Sequence, residues 1–190
     1  LPSLNKARLK ANAVQCVDQF RDLGAVYTKY TSETDAIVPV SDVKNSKNPT
    51  WQRTLQSYSD SDVSWSCPGC KQGHHGIGYN HFIGEIGSID NVRKPSATVA
   101  FGDAGIIRNP LQVNPDLWIE RKTLKNNGFG SGVFLVPSTK DWKKSSRRMV
   151  NRHLGRSSVI FVDGHADSIP ASAVGFQYKK GHVRALWDNQ

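Results

Sequence analysis

Residues 1–30 read LPSLNKARLKANAVQCVDQFRDLGAVYTKY, and this stretch decides the fold. Apolar or small residues recur in it at steps of three and four, the spacing of one face of an α-helix. They are Leu4, Ala7, Ala11, Val14, Val17, Phe20, Leu23, Tyr27 and Tyr30. At 1.5 Å per residue such a helix would be about 45 Å long. Gly24 is a position where it could kink or end early.

No comparable helical pattern follows, and residues 31–190 are predicted to be a loop-rich region and a sheet. Residues 50–58 predict a short helix, and apolar runs at 97–101 and 132–136 predict strands. In SSVIFVDGHADSI, residues 157–169, two β-prone arms flank Asp163-Gly164, a pair typical of a type I′ hairpin turn. One long helix followed by strands predicts a single α+β domain over residues 1–190, with the helix packed on an antiparallel sheet that has long loops.

The chain is basic, with a formal net charge of +9 at pH 7. A basic surface favours anionic partners such as acidic glycans, phospholipid headgroups or nucleic acid, although the charge can also serve only solubility. The densest basic run lies at residues 140–152 and offers six candidate contacts to a polyanion. These are Lys140, Lys143, Lys144, Arg147, Arg148 and Arg152. We expect charge contact there and no specific nucleic acid partner.

The chemically densest stretch is SWSCPGCKQGHHGIGY, residues 64–79. Two cysteines in a C-x-x-C turn followed by two histidines have the local spacing of a structural zinc site, or of one for another divalent metal. The candidate ligands are Cys67, Cys70, His74 and His75, with Cys16 or a distant histidine to complete four. The alternatives are a disulfide, either Cys67–Cys70 or Cys16–Cys67, and free thiols.

No catalytic motif is present: the chain has neither the G-x-S-x-G nucleophile elbow nor the H-E-x-x-H zinc motif. It also lacks the run of roughly 18 apolar residues that a membrane span needs, and its first residues lack the apolar region of a signal peptide. We therefore predict a protein that is not an enzyme.

The order of features resembles the prepilin-type, processing-associated family of pilin-like and pseudopilin-like proteins. Its H-x9-DG signature matches His153 followed by Asp163-Gly164. Four further landmarks agree in order: residues 1–16, which resemble the family's first helix and carry Cys16; the Cys67-Pro68 step; GIGYN at residues 76–80; and KPSATVAFGD at residues 94–103. Cys70 and the two histidines after it are not part of that pattern.

The resemblance implies a pilin-like fold and a non-enzymatic subunit of an extracytoplasmic filament or of a type II secretion pseudopilus. In the family an apolar segment precedes the helix, and this segment anchors the subunit in the inner membrane and then packs in the filament core. We expect such a segment before Leu1 in the full-length form. The implied partners are other subunits of the same or a related kind, and the implied location is the periplasm or cell surface.

Two other hypotheses stay open. One is a metal-binding module or metal-dependent enzyme built on the cysteines and histidines, to which His153, Asp163, His165 and Asp103 could add ligands. Each of these four also has an ordinary structural role, as hydrogen-bonding or turn residues. The other hypothesis is an anion- or glycan-binding surface formed by the basic run.

Overall fold

The computed structural model describes residues 2–36, 51–60, 65–70, 76–122 and 130–188. Its helices are α1 Pro2–Glu33, α2 Trp51–Gln56 and α3 His81–Glu85. Its strands are β1 Ile77–Asn80, β2 Val99–Ile106, β3 Val133–Phe134, β4 Arg147–Met149, β5 Ser157–Phe161 and β6 Ala166–Ile169. The α+β class and the long first helix are confirmed. Among the described residues, no helix combines the length and apolarity needed to cross a membrane.

The six strands form one mixed sheet, ordered β3-β1-β2-β5-β6, with β4 paired to β2 beside β5. The prediction of an antiparallel sheet is wrong for one pair, because β1 and β3 run parallel. A parallel neighbour is reached by a crossover instead of a hairpin, and here the chain passes through β2 before it returns to the far edge of β1. The remaining pairs are antiparallel.

Strand β2 changes partner along one of its edges. Its first half pairs with β5, with Gly102 opposite Val159, and its second half pairs with β4, with Ala104 opposite Met149. Asp103 lies at the change, and its carbonyl accepts a hydrogen bond of 2.8 Å from the backbone of Val150. The segment 150–156 that joins β4 to β5 therefore lies beside Asp103.

The β5–β6 hairpin is confirmed, but its turn differs from the prediction. Ile160 pairs with Ala166, and Phe161 exchanges backbone hydrogen bonds with Gly164 and His165. This register leaves three turn residues, 162–164, instead of two. Gly164 has φ +91° and Asp163 has no positive φ, so the turn is of the three-residue kind with a glycine bulge, and type I′ is wrong.

Helix α1 packs on β5 and β6. The buried side chains follow one stripe: Cys16, Phe20, Leu23, Tyr27 and Tyr30. In the first half, Leu4 is 68% exposed, Leu9 45% and Val14 63%. The prediction of one stripe along the whole helix is wrong, because at 3.6 residues per turn Leu4 and Val14 lie on roughly the opposite side of α1 from the buried stripe. The buried stripe begins at Cys16.

Gly24 neither ends nor kinks the helix into two elements, because α1 continues to Glu33. A Cβ atom on Gly24 would lie 2.3 Å from the carbonyl oxygen of Gly164, well inside the contact distance. The glycine is needed because the helix backbone touches the turn between β5 and β6 there. Helix α1 and the Asp163-Gly164 turn are thus fitted to each other.

Candidate metal centre

Four side chains from four separate parts of the chain meet in the interior. They are Cys16 on α1, Cys67 in the segment 65–70, Asp103 in β2 and His153 between β4 and β5. All four are buried, and one potential ligand atom from each lies within 4.8 Å of the others. This set of two sulfurs, one nitrogen and one oxygen could hold a metal ion.

The distances within the cluster are short and converge on one side of the imidazole ring. The Sγ of Cys67 lies 3.1 Å from Nε2 of His153, and Oδ1 of Asp103 lies 3.6 Å from the same nitrogen. The thiol of Cys16 donates to Oδ1 of Asp103 at 3.5 Å. Two donors therefore lie against one nitrogen of His153, and Cys16 joins the group through Asp103.

Local backbone geometry explains why two of these side chains reach the cluster. Cys67 begins a turn in which the N–H of Cys70 donates to the Cys67 carbonyl at 2.9 Å. A Cβ on Gly69 within that turn would lie 2.9 Å from Cδ of Arg152, so only glycine fits there without a shift. The turn therefore lies directly against the segment that carries His153.

His153 is held by a tight hairpin of its own. His153 and Arg156 exchange two backbone hydrogen bonds of 3.0 Å, and the two residues between them, Leu154 and Gly155, have φ of +53° and +79°. Positive φ at both central positions is the type I′ geometry. The turn type that the sequence predicts for Asp163-Gly164 occurs here, and it sets the position of His153.

Arg152 brings a positive charge next to the cluster. Its side chain is 2% exposed and its Nη1 donates to Oδ1 of Asp103 at 3.0 Å. Its Nη2 donates to Oε1 of Glu120 at 2.6 Å and to the Ala104 carbonyl at 2.7 Å. A buried guanidinium group with two carboxylates and a backbone acceptor is well satisfied, which fixes the orientation of Asp103.

Burial and neighbouring charges shift the pKa values of the cluster. Burial raises the pKa of the Cys67 thiol, but hydrogen bonds from Cys16 and Cys70 outweigh it. With Arg152 and His153 adding to them, the pKa of Cys67 falls well below its usual range. Burial lowers the pKa of His153, but its hydrogen bonds to Asp103 and Cys67 raise that pKa to about 10. Both shifts favour the charged forms of Cys67 and His153.

This pair differs from a nucleophilic cysteine–histidine site. In such sites a third group orients the histidine through its second ring nitrogen, whereas Asp103 contacts Nε2, the nitrogen that already faces Cys67. Cys67 is also only 3% exposed. The arrangement is therefore better suited to holding a cation among the donors than to attacking a substrate.

The structure describes two members of the predicted metal set, Cys67 and Cys70. Cys67 is in the cluster, and Cys70 is buried but lies outside the group of four. His74 and His75 fall outside the described residues. None of the three cysteines is in a disulfide, so neither of the two predicted disulfides is formed in this structure.

The H-x9-DG residues separate into two places. His153 is buried in the cluster, while Asp163 is exposed in the β5–β6 turn and accepts from Nδ1 of His165 at 2.6 Å. The hypothesis that His153, Asp163 and His165 act as one ligand set is therefore wrong. Sequence reasoning admitted Cys16 and Asp103 only as optional ligands. Cys16, Asp103 and His153 all lie in landmarks of the family resemblance, and this shared feature could have indicated that they form one site.

Of the six predicted polyanion contacts, four are exposed and two have buried side chains. Lys140, Lys143, Lys144 and Arg147 are exposed. Arg148 is fully buried, with its guanidinium carbon 3.5 Å from the centre of the Trp142 ring. Because the side chains of Arg148 and Arg152 are both buried, the prediction that they contact a polyanion is wrong.

Comparison with protein-family models, with curated proteins and with solved structures gives no match for this chain. The pilin-like family therefore stays a prediction that rests on the sequence landmarks.

Proposed function

We propose that this chain is a pilin-like structural subunit whose helix α1 packs against neighbouring subunits of a filament. The observation that carries the proposal is the division of α1 into a packed second half and an exposed first half. Residues 2–15 would extend about 20 Å with an apolar stripe that the described part of the chain does not cover. Leu4, Ala7, Ala11 and Val14 lie on that stripe.

An exposed apolar stripe on a helix is a usual sign of an interaction surface. The occupant that fits it best is the same half of α1 from another copy or a related subunit. Such helices can pack side by side through small residues such as Ala7 and Ala11, which allow close approach. In this proposal an apolar segment precedes α1 and is continuous with it. This segment anchors the subunit in the inner membrane, and the sheet lies outside the cytoplasm.

The buried cluster supports a structural role over catalysis. A centre with four protein donors leaves no position for a substrate or an activated water, whereas catalytic metal sites keep one open. In the proposed subunit a metal held there would fasten α1 to the sheet. Cys16, Cys67, Asp103 and His153 also all fall within the landmarks that carry the family resemblance.

The filament proposal is tested by placing the chain behind the leader and apolar segment of a type IV prepilin, in a bacterium with a prepilin peptidase and a pilus assembly system. We expect the leader to be removed and the chain to be recovered in sheared filaments. Cysteines introduced as Ala7→Cys and Ala11→Cys should cross-link neighbouring copies within them.

A matched pair of variants tests the surface itself. Leu4→Glu with Val14→Glu should abolish incorporation, because charged side chains would be buried between helices. Leu111→Glu with Val113→Glu, which changes two residues on the body that are 78% and 76% exposed, should leave it intact. Equal behaviour of the two variants, or a processed chain that never enters filaments, would contradict the proposal.

A second candidate function is the binding of an acidic glycan. A groove of about 640 Å³ is lined by aromatic and basic side chains, among them Trp118, Trp142, Lys143, Lys179 and Lys180. Aromatic rings beside ammonium groups suit a ligand with flat apolar faces and negative charge. Binding of sulfated or uronic-acid oligosaccharides that weakens steeply with salt would support this function, and binding of neutral oligosaccharides alone would not.

A further inference from the structure

We propose that Cys16, Cys67, Asp103 and His153 bind one zinc ion as a closed, four-coordinate structural centre. This inference rests on the geometry of the cluster and holds whether or not the chain forms filaments. It replaces the C-x-x-C-H-H ligand set that the sequence suggests with one that joins four distant parts of the chain.

The spacing of the donors suits a tetrahedral ion. With zinc–ligand bonds of about 2.0–2.3 Å, neighbouring donors of a tetrahedral site lie about 3.3–3.8 Å apart. The three measured separations, 3.1, 3.5 and 3.6 Å, differ from this range by little. The other three separations are each within 4.8 Å, so side-chain shifts of at most about 1 Å would close the four donors around an ion.

The donor chemistry selects the ion. Two thiolates and an imidazole are soft or borderline ligands, and calcium and magnesium prefer sites made wholly of oxygen. A single carboxylate oxygen as fourth ligand is accepted by zinc. Because all four residues are buried, the centre has no room for the several waters that magnesium retains.

The charge around the cluster is balanced for a divalent ion. Two thiolates and one carboxylate carry three negative charges, one more than the two positive charges of zinc. The guanidinium group of Arg152, 3.0 Å from Asp103, supplies the remaining positive charge. The pair formed by Arg152 and Glu120 then extends to Lys122, 3.9 Å from Glu120.

The ligands are oriented by a second layer of hydrogen bonds, as metal ligands in proteins usually are. The N–H of Ser158 donates to Oδ2 of Asp103 at 2.7 Å, which leaves Oδ1 directed at the cluster. The N–H of Gly69 lies 3.4 Å from the Sγ of Cys67, as a donor to the thiolate. Both contacts hold a negatively charged ligand atom in the position that an ion would need.

An entry path to the centre exists. A groove of about 580 Å³ lies between the first half of α1 and the body, and His153, Arg152 and Gly69 line it along with Arg8 and Asn12 of the helix. An ion can therefore reach the imidazole side of the cluster without unfolding of the sheet.

The test begins with the wild-type chain, purified under reducing conditions without chelators and analysed for metals. We expect about one zinc per chain. Replacement by cobalt(II) should give the visible bands of a tetrahedral ion and a near-ultraviolet thiolate-to-cobalt charge-transfer band, since both report directly on ligand type and geometry.

Variants then identify the ligands. Cys16→Ser, Cys67→Ser, Asp103→Asn and His153→Gln should each weaken zinc binding by at least about tenfold and alter the cobalt spectrum. His165→Gln should retain one zinc and the wild-type spectrum. Cys70→Ser, which changes a hydrogen-bonding neighbour of Cys67, should still retain one zinc. Circular dichroism of each variant establishes that it is folded. For a variant that does not fold, chelator competition on the wild-type chain supplies the affinity instead.

A thermal measurement links the ion to the fold. Chelation should lower the melting temperature of the wild-type chain, because an ion bound only by the folded state stabilises it, and should leave folded His153→Gln unchanged. The proposal is overturned by a folded, reduced wild-type chain that binds neither zinc nor cobalt, by a Cys16–Cys67 disulfide found in mass spectrometry, or by loss of zinc in Cys70→Ser or His165→Gln alone. None of these outcomes bears on filament assembly, which is measured separately.

Discussion

At the scale of single residues, a glycine on a helix and a leucine in a turn stand out because their backbone positions restrict which residue fits. Gly24 lets α1 touch the β5–β6 turn, and Leu154 has a positive φ beside His153. Neither residue belongs to the four-residue cluster. Gly24 allows the contact between α1 and the β5–β6 turn, and the turn at Leu154 sets the position of His153. Substitutions at both positions should therefore alter stability in opposite directions.

Gly24→Ala should destabilise the protein by about 1–3 kcal/mol, the usual cost of overpacking. Alanine favours helices over glycine by about 1 kcal/mol, but its Cβ would lie 2.3 Å from the Gly164 carbonyl oxygen. Urea denaturation measures the change. Asp22→Ala, at an exposed position two residues earlier, is the control and should be neutral or stabilising. A Gly24→Ala variant as stable as this control would show that the close contact does not exist.

Leu154→Asn should stabilise the protein by about 1 kcal/mol, because the left-handed conformation costs a leucine that much and asparagine much less. The side chain is 56% exposed, so the substitution loses little packing. Leu117→Asn is the matched control, since Leu117 is also 56% exposed and has no positive φ. Comparison of the melting temperatures checks the prediction, and an equal effect of both substitutions would rule it out.

At the scale of elements, helix α1 behaves as two helices of different stability. Its second half is held by a buried stripe that includes Phe20, Leu23 and Tyr27, and the ring of Tyr27 lies 5.3 Å from that of Phe101 in β2. Its first half has few such contacts, and an isolated helix of that length is marginal in water. Amide hydrogens of residues 3–14 should therefore exchange much faster than those of residues 17–33.

Leu23→Ala should cost about 2–5 kcal/mol, the range for a leucine deleted from a core. Leu9→Ala makes the same change on the same helix at a side chain that is 45% exposed, and should stay within about 0.5 kcal/mol of the wild type. Chemical denaturation compares the two variants. Similar losses would mean that the first half of α1 is packed as firmly as the second.

At the scale of the whole molecule, the net charge is +9, and we expect the lysines beside the aromatic groove to contribute more to anion binding than the others. Lys143 and Lys144 lie on the exposed part of the basic run next to the aromatic groove. Reversal of both to glutamate should weaken retention on an immobilised sulfated polysaccharide and flatten its dependence on salt.

The control for this prediction changes the total charge by the same amount. Lys6→Glu with Lys10→Glu alters two exposed lysines on α1 and should reduce retention less. If both pairs reduce retention equally, the interaction depends on net charge and not on a defined surface.

The sequence predicts the elements of this molecule well and the site poorly, for a physical reason. Helix α1, helix α2 and the β5–β6 hairpin follow from local spacing, since each repeats its pattern within a few residues. The cluster depends instead on where β2 changes partner and on the turn at Leu154-Gly155, which place Asp103 and His153 together. Local spacing drew attention to Cys70, the neighbour of Cys67 in the sequence, and the four-residue group excludes it.

The position of β2 has a consequence for how the chain reaches this state. The two strands on its second edge, β4 and β5, come from residues 147–161, so that edge stays without its strand partners until the last third of the chain has been synthesised. Folding with such distant contacts is slow, and open strand edges are prone to aggregate in the meantime. Truncation anywhere before β5 should therefore leave this edge of β2 open and make the chain prone to aggregate.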